Sequence, residues 1–351
     1  MMDAGDDEVL CERRGEAGLI TLNRPKALNA LTLGMVRRMR TALDAWAGDP
    51  AVTRVAVRGA GGRAFCAGGD IRRIHDDGRA GRWEGVDAFW REEYALDALI
   101  HRYPKPYVSL IDGIVMGGGV GISQHGPYRV AGERYAFAMP EVGIGFFPDV
   151  GATYALPRLP GSFGSYLALT GERVGRGDGL AFGLATHAVP ADRFDAVVAD
   201  LAAGDSIDAV LARHAPAEAP APGPVFAERE LIAACFSAAS VAGVLERLDA
   251  AGSDFATAAA ATIRTRSPTS LAVSHEQMRR GAALSFPEAM LTEYRIVTRI
   301  MQGHDFFEGV RAVLIDKDNR PRWQPDRLEA VTPEAVQAHF APLPDPEPEF
   351  G

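Results

Sequence analysis

Two carboxylates stand eight positions apart in "MPEVGIGFFPDVGATY" (139–154): Glu141 and Asp149. Each follows a proline, Pro140 or Pro148, and most of the other residues are glycine or apolar. Proline fixes the local backbone, so both acids sit at rigid turns. Phe146 and Phe147 would desolvate a nearby carboxyl and raise its pKa. Two close acids also push their titrations apart, which acid–base chemistry requires. The same residues would serve as a pair of turn-capping acids at a surface.

A third acid is out of place in "WEGVDAFWREEYALDALIHRY" (83–103). Val86, Phe89, Leu96 and Ile100 recur at helical spacing and form one stripe. Glu93 falls on that stripe, four after Phe89 and three before Leu96. A carboxylate on an apolar face is costly unless it is paired or used. A salt bridge to Arg91 or Arg102, or a face turned outward, would also accommodate it.

Two glycine runs, "FCAGGD" (65–70) and "MGGGVG" (116–121), lie where a strand gives way to a helix. Glycine lets backbone approach a ligand closely. A helix start offers unpaired N–H groups and a positive dipole end. Two such N–H groups from separate turns can grip a developing oxyanion, and losing one typically costs about 2.7–4 kcal/mol of barrier. Tight strand–helix packing would use the same glycines. Other chemistries fail on spacing. A G-x-G-x-x-G fingerprint begun at Gly119 meets Gln124 at its third glycine position. The sequence has no G-x-x-x-x-G-K-[ST] and no H-E-x-x-H, and a G-x-S-x-G elbow at Ser123 fails at His125. His101, His125, His187 and His304 are scattered and read as surface or structurally bonded histidines rather than metal ligands.

The elements that must position these residues alternate. An apolar strand, a glycine-rich turn and a helical stretch recur at 18–47, 53–70 and 106–124, and two short strands follow at 128–141. This rhythm predicts an α/β domain with ligand sites in the turns beyond the strand ends. "APAEAPAPGP" (215–224) holds four prolines and reads as a surface linker. From Val225 to about Phe340 the pattern is helical. "SPTSLAVSHEQMRRG" predicts a helix with Ser267 or Thr269 at its start and Gly281 past its end. The expected organisation is a core over 1–205, a Pro/Ala-rich linker over 206–225, a helical region over 226–341 and a flexible tail over 342–351.

Composition narrows the class. Hydrophobic residues are 47% of the 351, enough for a sizeable core. Lys and Arg number 37 against 46 Asp and Glu, a net charge of −9, which argues against nucleic acid as a partner. The cysteines, Cys11, Cys66 and Cys235, are far apart and predict neither a disulfide framework nor a zinc ribbon. The acidic start, "MMDAGDDEVL", resembles neither a signal nor a transit peptide, and no apolar run approaches the roughly 20 residues needed to cross a membrane. The expectation is a soluble cytoplasmic protein with no membrane partner.

"LITLNRPKALNAL", "AFCAGGDI", "KPYVSLIDGIVMGGGVGIS" and "AFAMPEVGIGFFPDVGATYALPRLPG" resemble, in order, the enoyl-CoA hydratase/isomerase (crotonase) superfamily over about 19–189. "FWREEY", "MPEVGIGFFPDVG" and "DFFEGVRAVLIDKDNRPRWQP" (305–325) resemble its 3-hydroxyisobutyryl-CoA hydrolase branch, to about residue 340. The resemblance implies a crotonase-like ββα spiral core with a helical C-terminal region. It implies an acyl-CoA substrate, a homo-oligomer, and no cofactor beyond the CoA of the substrate. Gly69 and Gly118 would be the oxyanion donors. Arg24, Lys26, Ala27 and Ala67, with Gly69, would bind CoA. Glu141 matches the recurrent catalytic glutamate, and Glu93 and Asp149 match substrate-contacting or catalytic acids of the hydrolase branch. Hydratases carry a second glutamate three residues after the oxyanion glycine, where this chain has Gly121.

The implied reaction is hydrolysis of a short 3-hydroxyacyl-CoA, 3-hydroxyisobutyryl-CoA in valine degradation. Glu141 would attack the thioester carbonyl or activate water, Asp149 would manage protons, and Glu93 would accept a bond from the 3-hydroxyl. An enoyl-CoA hydratase or isomerase is the alternative enzyme, and an acyl-CoA-binding protein without turnover the non-enzyme alternative.

Overall fold

The computed structural model describes residues 7–344 and 346–351. Among them the strands are β1 (Val9–Arg14), β2 (Ala17–Leu22), β3 (Arg54–Gly59), β4 (Ala64–Cys66), β5 (Tyr107–Ile111), β6 (Ile114–Met116), β7 (Tyr128–Ala131), β8 (Ala136–Ala138), β9 (Val174–Gly175) and β10 (His187–Ala188). Five helices bear on the chemistry: α1 (Leu33–Gly48), α2 (Trp83–His101), α3 (Gly118–Gln124), α4 (Pro268–Gly281) and α5 (Phe286–Ile300).

The chain forms two contact units. The first gathers the chain up to Asp70 with Ala95–Phe137 and Val174–Phe226. Its six-stranded sheet runs β1–β2–β3–β5–β7–β10, with β1 antiparallel at one edge and the other pairs parallel. All six residues of β2 are buried, as a parallel strand covered on both faces requires. Leu19 registers with Ala56, and Ala56 with Val108. All three belong to one core with Val130, Val197, Leu201 and Val210. A second sheet runs β4–β6–β8–β9.

The second unit gathers Ile71–Tyr94, Ala138–Arg173 and Ala227–Gly351, and its longer elements are helices. α4 starts where expected: the Ser267 side chain accepts the Ser270 N–H at 3.1 Å, with Pro268 in the first turn. Its end differs. Gly281 stays inside the last turn, because a Cβ there would lie 1.9 Å from the Thr153 carbonyl oxygen. The glycine answers a close approach, not a helix stop. A capping box formed by Ser285 and Glu288 opens α5.

The contacts divide the chain differently from the continuous segments expected. Residues 71–94 and 138–173 cluster with the C-terminal region. The span 206–225 is not wholly linker: Ile207–Arg213 is a helix that buries Ile207, Val210 and Leu211. The tail expected to be flexible over 342–351 instead makes specific contacts. Glu347 accepts two bonds from Arg295, at 2.7 and 2.6 Å, and Phe350 is buried with its ring 6.2 Å from those of Tyr94 and Tyr294. Asp345 of that tail, and residues 1–6 of the acidic start, lie outside the described residues. Among the described residues, no helix is long and apolar enough to cross a membrane.

Candidate active site

In the first unit the parallel pair β4–β6 aligns the two glycine turns. Cys66 registers with Val115, so Gly69 and Gly118 each fall three residues beyond the same rung. The turns touch: a Cβ on Gly68, whose φ is +109°, would sit 3.8 Å from the Gly118 nitrogen. Only glycine adopts that backbone freely. Gly118 is the first residue of α3, where N–H groups have no partner within the helix. The Gly69 turn is tied to Leu31, which donates to the Gly68 carbonyl at 2.8 Å and accepts the Asp70 N–H at 2.9 Å. Those bonds leave the Gly69 N–H outside the ladder.

The expected CoA-binding residues line the approach to the same turn. Arg24 reaches Glu8 at 2.9 Å, Asp70 at 3.1 Å and the Ala30 carbonyl at 2.6 Å. Its guanidinium thus braces the turn, and a phosphate would reach it only in competition with these partners. Lys26 and Ala27 are exposed on the short 3-10 turn Pro25–Ala27. Ala67 is half-buried and donates its N–H to the Leu28 carbonyl at 3.0 Å. Gly121 is buried in α3 and brings no carboxylate there.

In the second unit the structure brings Glu93, Glu141 and Asp149 into one electrostatic cluster and adds Glu293 from α5. All four acids are at most 6% exposed. This excludes surface turn-capping for Glu141 and Asp149, and an outward face for Glu93. Arg91 does not serve Glu93 either, since it meets Asp87 at 3.4 Å and the Tyr294 hydroxyl at 2.6 Å. Tyr94, fully buried, donates its hydroxyl to Asp149 at 2.9 Å. Glu93 Oε1 and Glu141 Oε2 are buried with no hydrogen-bond partner. Such atoms are costly in a folded protein, and each is open to a hydrogen-bond donor.

Burial, and then the Asp149 charge, push the Glu141 pKa well above the usual carboxylate range. Burial does the same to Glu93, reinforced by Asp149 and Glu293. Asp149 rises to about 7, burial outweighing the Tyr94 bond that favours its anion. Glu293 rises to about 8 through burial and the Asp149 charge, against bonds from Gly151 and Thr153. None of the leading influences on these four carboxyls is a cationic side chain. They cannot all be ionised at neutral pH, so the cluster retains protons and can exchange them. Among the described residues, no group of three or more His, Cys, Asp or Glu is placed to hold a metal ion.

The local sequence explains how the acids are held. Glu141 opens the 3-10 turn Glu141–Ile144, which the Ser267 N–H fastens at the Val142 carbonyl (3.2 Å). The helix Asp305–Val310, the start of the "DFFEGVRAV" motif, seats that turn. A Cβ on Gly309 would lie 2.3 Å from the Ile144 carbonyl carbon, and one on Gly145 2.1 Å from the Asp305 carbonyl oxygen. Asp149 precedes two left-handed residues, Val150 at φ +53° and Gly151 at φ +86°. A β-branched residue there is strained by ~1–3 kcal/mol.

Tyr94 and Glu293 were not singled out in the sequence. Glu293 carried the same signal as Glu93, an acid on an apolar helical stripe with Phe286, Met290, Val297 and Ile300. Tyr94 gave no signal beyond its place next to Glu93.

Comparison with known proteins follows from this geometry. Residues 17–340 match the family described as enoyl-CoA hydratase/isomerase. The mitochondrial 3-hydroxyisobutyryl-CoA hydrolase of Xenopus tropicalis is 48% identical over 346 residues, 96% of this chain and 90% of that protein. The enzyme of the same name from Homo sapiens is 45% identical over 345 residues, 96% and 89%. A crystal structure described as a carnitinyl-CoA dehydratase from Mycobacterium thermoresistibile superimposes with a TM-score of 0.92 at 45% identity, covering 97% of this chain and 98% of that one. The curated relatives' names carry the word mitochondrial, which overturns the expectation of a cytoplasmic protein.

Proposed function

The chain belongs to the enoyl-CoA hydratase/isomerase family, with its crotonase fold, and from that premise we infer that it hydrolyses 3-hydroxyisobutyryl-CoA to the free acid and CoA. The observation that carries this reading is the buried, cation-free cluster of Glu93, Glu141 and Asp149, together with Gly121 where a hydratase has its second acid. Adding water across a C=C bond with two flanking acids would lack one partner. Hydrolysis needs an oxyanion grip, a nucleophile or base, and a proton for the departing thiolate; the family resemblance assigns the first to Gly69 and Gly118, and the buried acids suit the other two. The dehydratase description of the solved relative is the competing reading, and Gly121 weighs against it here.

The Gly69 and Gly118 N–H groups stabilise the thioester oxygen as it gains charge. Glu141 acts as an anion when Asp149 holds the proton that the pair shares. It either attacks the carbonyl carbon, giving a mixed anhydride that water then opens, or takes a proton from the attacking water. The C–S bond breaks, and the sulfur takes the proton from Asp149. The Tyr94 hydroxyl stabilises the Asp149 anion left behind. The orphan oxygen of Glu93 accepts the 3-hydroxyl of the substrate. A site built around that bond rejects acyl chains lacking it, because its buried acceptor would stay unpaired. These steps use no metal or redox cofactor, and CoA enters as part of the substrate. We propose that this reaction serves valine degradation.

A panel of purified acyl-CoA thioesters monitored for free thiol tests the reading. Hydrolysis frees CoA–SH, whereas hydration and isomerisation leave the thioester intact. Binding without turnover of any thioester would make the protein an acyl-CoA-binding module. One turnover in oxygen-18 water separates the two routes: label first in Glu141 marks the anhydride, and its absence marks direct attack by water. A homo-oligomer is proposed alongside, to be read by light scattering in solution.

A further inference from the structure

We infer that Glu293 and Gln277 are positioning residues for Asp149, a two-point clamp from α5 and α4 that holds the acid's turn in a backbone it would not keep by itself. The inference deepens the proposed hydrolysis and rests on it for the meaning of Asp149.

The residues from Phe146 to Asp149 lie in no helix or strand, and Val150 and Gly151 form a turn. With Val150 at φ +53° and Gly151 at φ +86°, two successive residues adopt the left-handed region, and the first is β-branched. Local preference opposes this conformation, so bonds from elsewhere must impose it. They come from two helices more than a hundred residues away. The two carboxyl oxygens of Glu293 accept the Gly151 N–H and the Thr153 N–H, each at 2.8 Å. The Gln277 amide donates to the Pro148 carbonyl at 2.5 Å and to the Thr153 hydroxyl at 2.7 Å. The clamp therefore grips the chain on both sides of Asp149. Neither Glu293 nor Gln277 is exposed at all.

Two features make this more than packing. The clamp is polar and buried, and it satisfies two N–H groups and a carbonyl of the turn that an apolar pair would leave unpaired. It also ends at the one acid whose placement sets the Tyr94 bond. A turn that relaxes lengthens that bond and moves Asp149 with it. The groups facing Asp149 and Glu293 are Glu93 and Tyr94 from α2 and Glu141 from its own turn. Tyr294, next to Glu293 on α5, is engaged instead with Asp87 at 2.5 Å and with Arg91.

Two variants test the clamp in the full-length protein. Gln277→Met removes both amide bonds without adding charge. It should lower kcat for thiol release ~5-fold with KM held within ~3-fold. The Asp149 carboxyl titration, followed by carbon-13 NMR and assigned with Asp149→Asn, should move to higher pH as the Tyr94 bond weakens. Glu293→Gln offers one acceptor oxygen where two N–H groups need one each. It should lower kcat ~10–100-fold, move Asp149 the same way, abolish the second carboxyl step near pH 8, and speed amide exchange at Gly151 and Thr153. A fall in Tm with kcat and the Asp149 titration unmoved would reduce both residues to packing and overturn the inference. If Glu293→Gln does not fold, Gln277→Met decides alone by the same readouts. If the parent frees no thiol from any thioester, the proposed activity fails, while the Asp149 titration and the amide exchange still judge the clamp.

Discussion

The second unit contains two kinds of acid, and the contrast separates chemistry from scaffolding. Around Arg311, the carboxylates of Glu308, Asp316 and Asp318 lie 2.8, 2.6 and 2.7 Å from the guanidinium, and bonds to it hold Glu308 and Asp318 below their usual pKa values. Glu276 and Glu347, each bonded to arginine, fall to about 2. The buried cluster has the same residue type and the opposite shift, with Asp149 at about 7 and Glu293 at about 8. The difference is the missing cation together with burial. Glu276, Glu308, Asp318 and Glu347 are held in their charged form by arginine. Asp149 and Glu293 titrate near neutrality, where a proton can be given or taken.

The contrast has a sign in stability. A depressed acid stabilises the fold above its unfolded pKa, and that contribution is lost as pH falls through the folded value. For Glu276 and Glu347 the window runs from about 4.3 down to about 2. A raised acid works the other way. Asp149 and Glu293 bind more protons folded than unfolded, so they subtract stability as pH rises from about 4 to 7 or 8. The proposed chemistry thus rests on groups that weaken the fold at neutral pH.

The sharpest break in the comparison is Glu141→Gln. Thiol release should fall at least ~10³-fold, within the range for removing a nucleophile or general base, while Tm above pH 7 holds or rises. Hydrolysis within a few-fold of the parent would return Glu141 to the scaffold. Asp149→Asn should cost ~10²-fold, and the pH dependence of kcat/KM is the finer test. In the parent, activity should rise with pH through an apparent pKa near 7, as the pair loses its first proton. That step should vanish in the variant.

Glu93 sharpens the comparison further. Burial, reinforced by Asp149 and Glu293, raises its carboxyl pKa well above the usual range and so favours the neutral acid, whose hydrogen bonding glutamine reproduces and leucine does not. Glu93→Gln should keep activity within ~3-fold. Glu93→Leu should reduce the preference for a 3-hydroxyacyl over a deoxyacyl thioester ~10–100-fold, read from the ratio of kcat/KM values. Equal effects from the two variants would mean that the negative charge of Glu93 matters, and the absent cation would then need another explanation.

What the sequence disclosed follows the range of each interaction. Strand rhythm and glycine runs are local, and they located β2, β3, β5 and the two glycine turns; Gly69 and Gly118 within those turns were named by the family resemblance. Proline and apolar neighbours pointed to Glu141 and Asp149, because the buried Phe146 and Phe147 lie alongside them in sequence. Glu293 and Gln277 act on a turn more than a hundred residues away, and nothing near either of them points to it. Gly281 misled, since a glycine needed for contact with Thr153 reads in sequence like a helix stop. The tail misled for the opposite reason: proline-rich composition conceals the Glu347–Arg295 pair and the buried Phe350. The interleaving of 71–94 and 138–173 with the C-terminal helices follows from contacts between distant segments, which periodicity does not carry.

The smallest expected effect lies one residue from the clamp. On α4, Glu276 receives Arg279 at 2.7 Å through two nitrogens and Arg280 at 2.7 Å, one position before the buried Gln277. Arg279 is well exposed, so solvent screens the group and its worth is below ~1 kcal/mol. Glu276→Gln should therefore lower stability by less than ~1 kcal/mol in urea unfolding at pH 7. The cost should disappear as the pH approaches 2, because the parent carboxylate is then protonated as well. Its kcat and the Asp149 titration should match the parent, whereas Gln277→Met moves both. A tenfold loss of kcat in Glu276→Gln would mean that these neighbouring positions of α4 are not independent, and the division between scaffold acid and clamp would fail where the two adjoin in sequence.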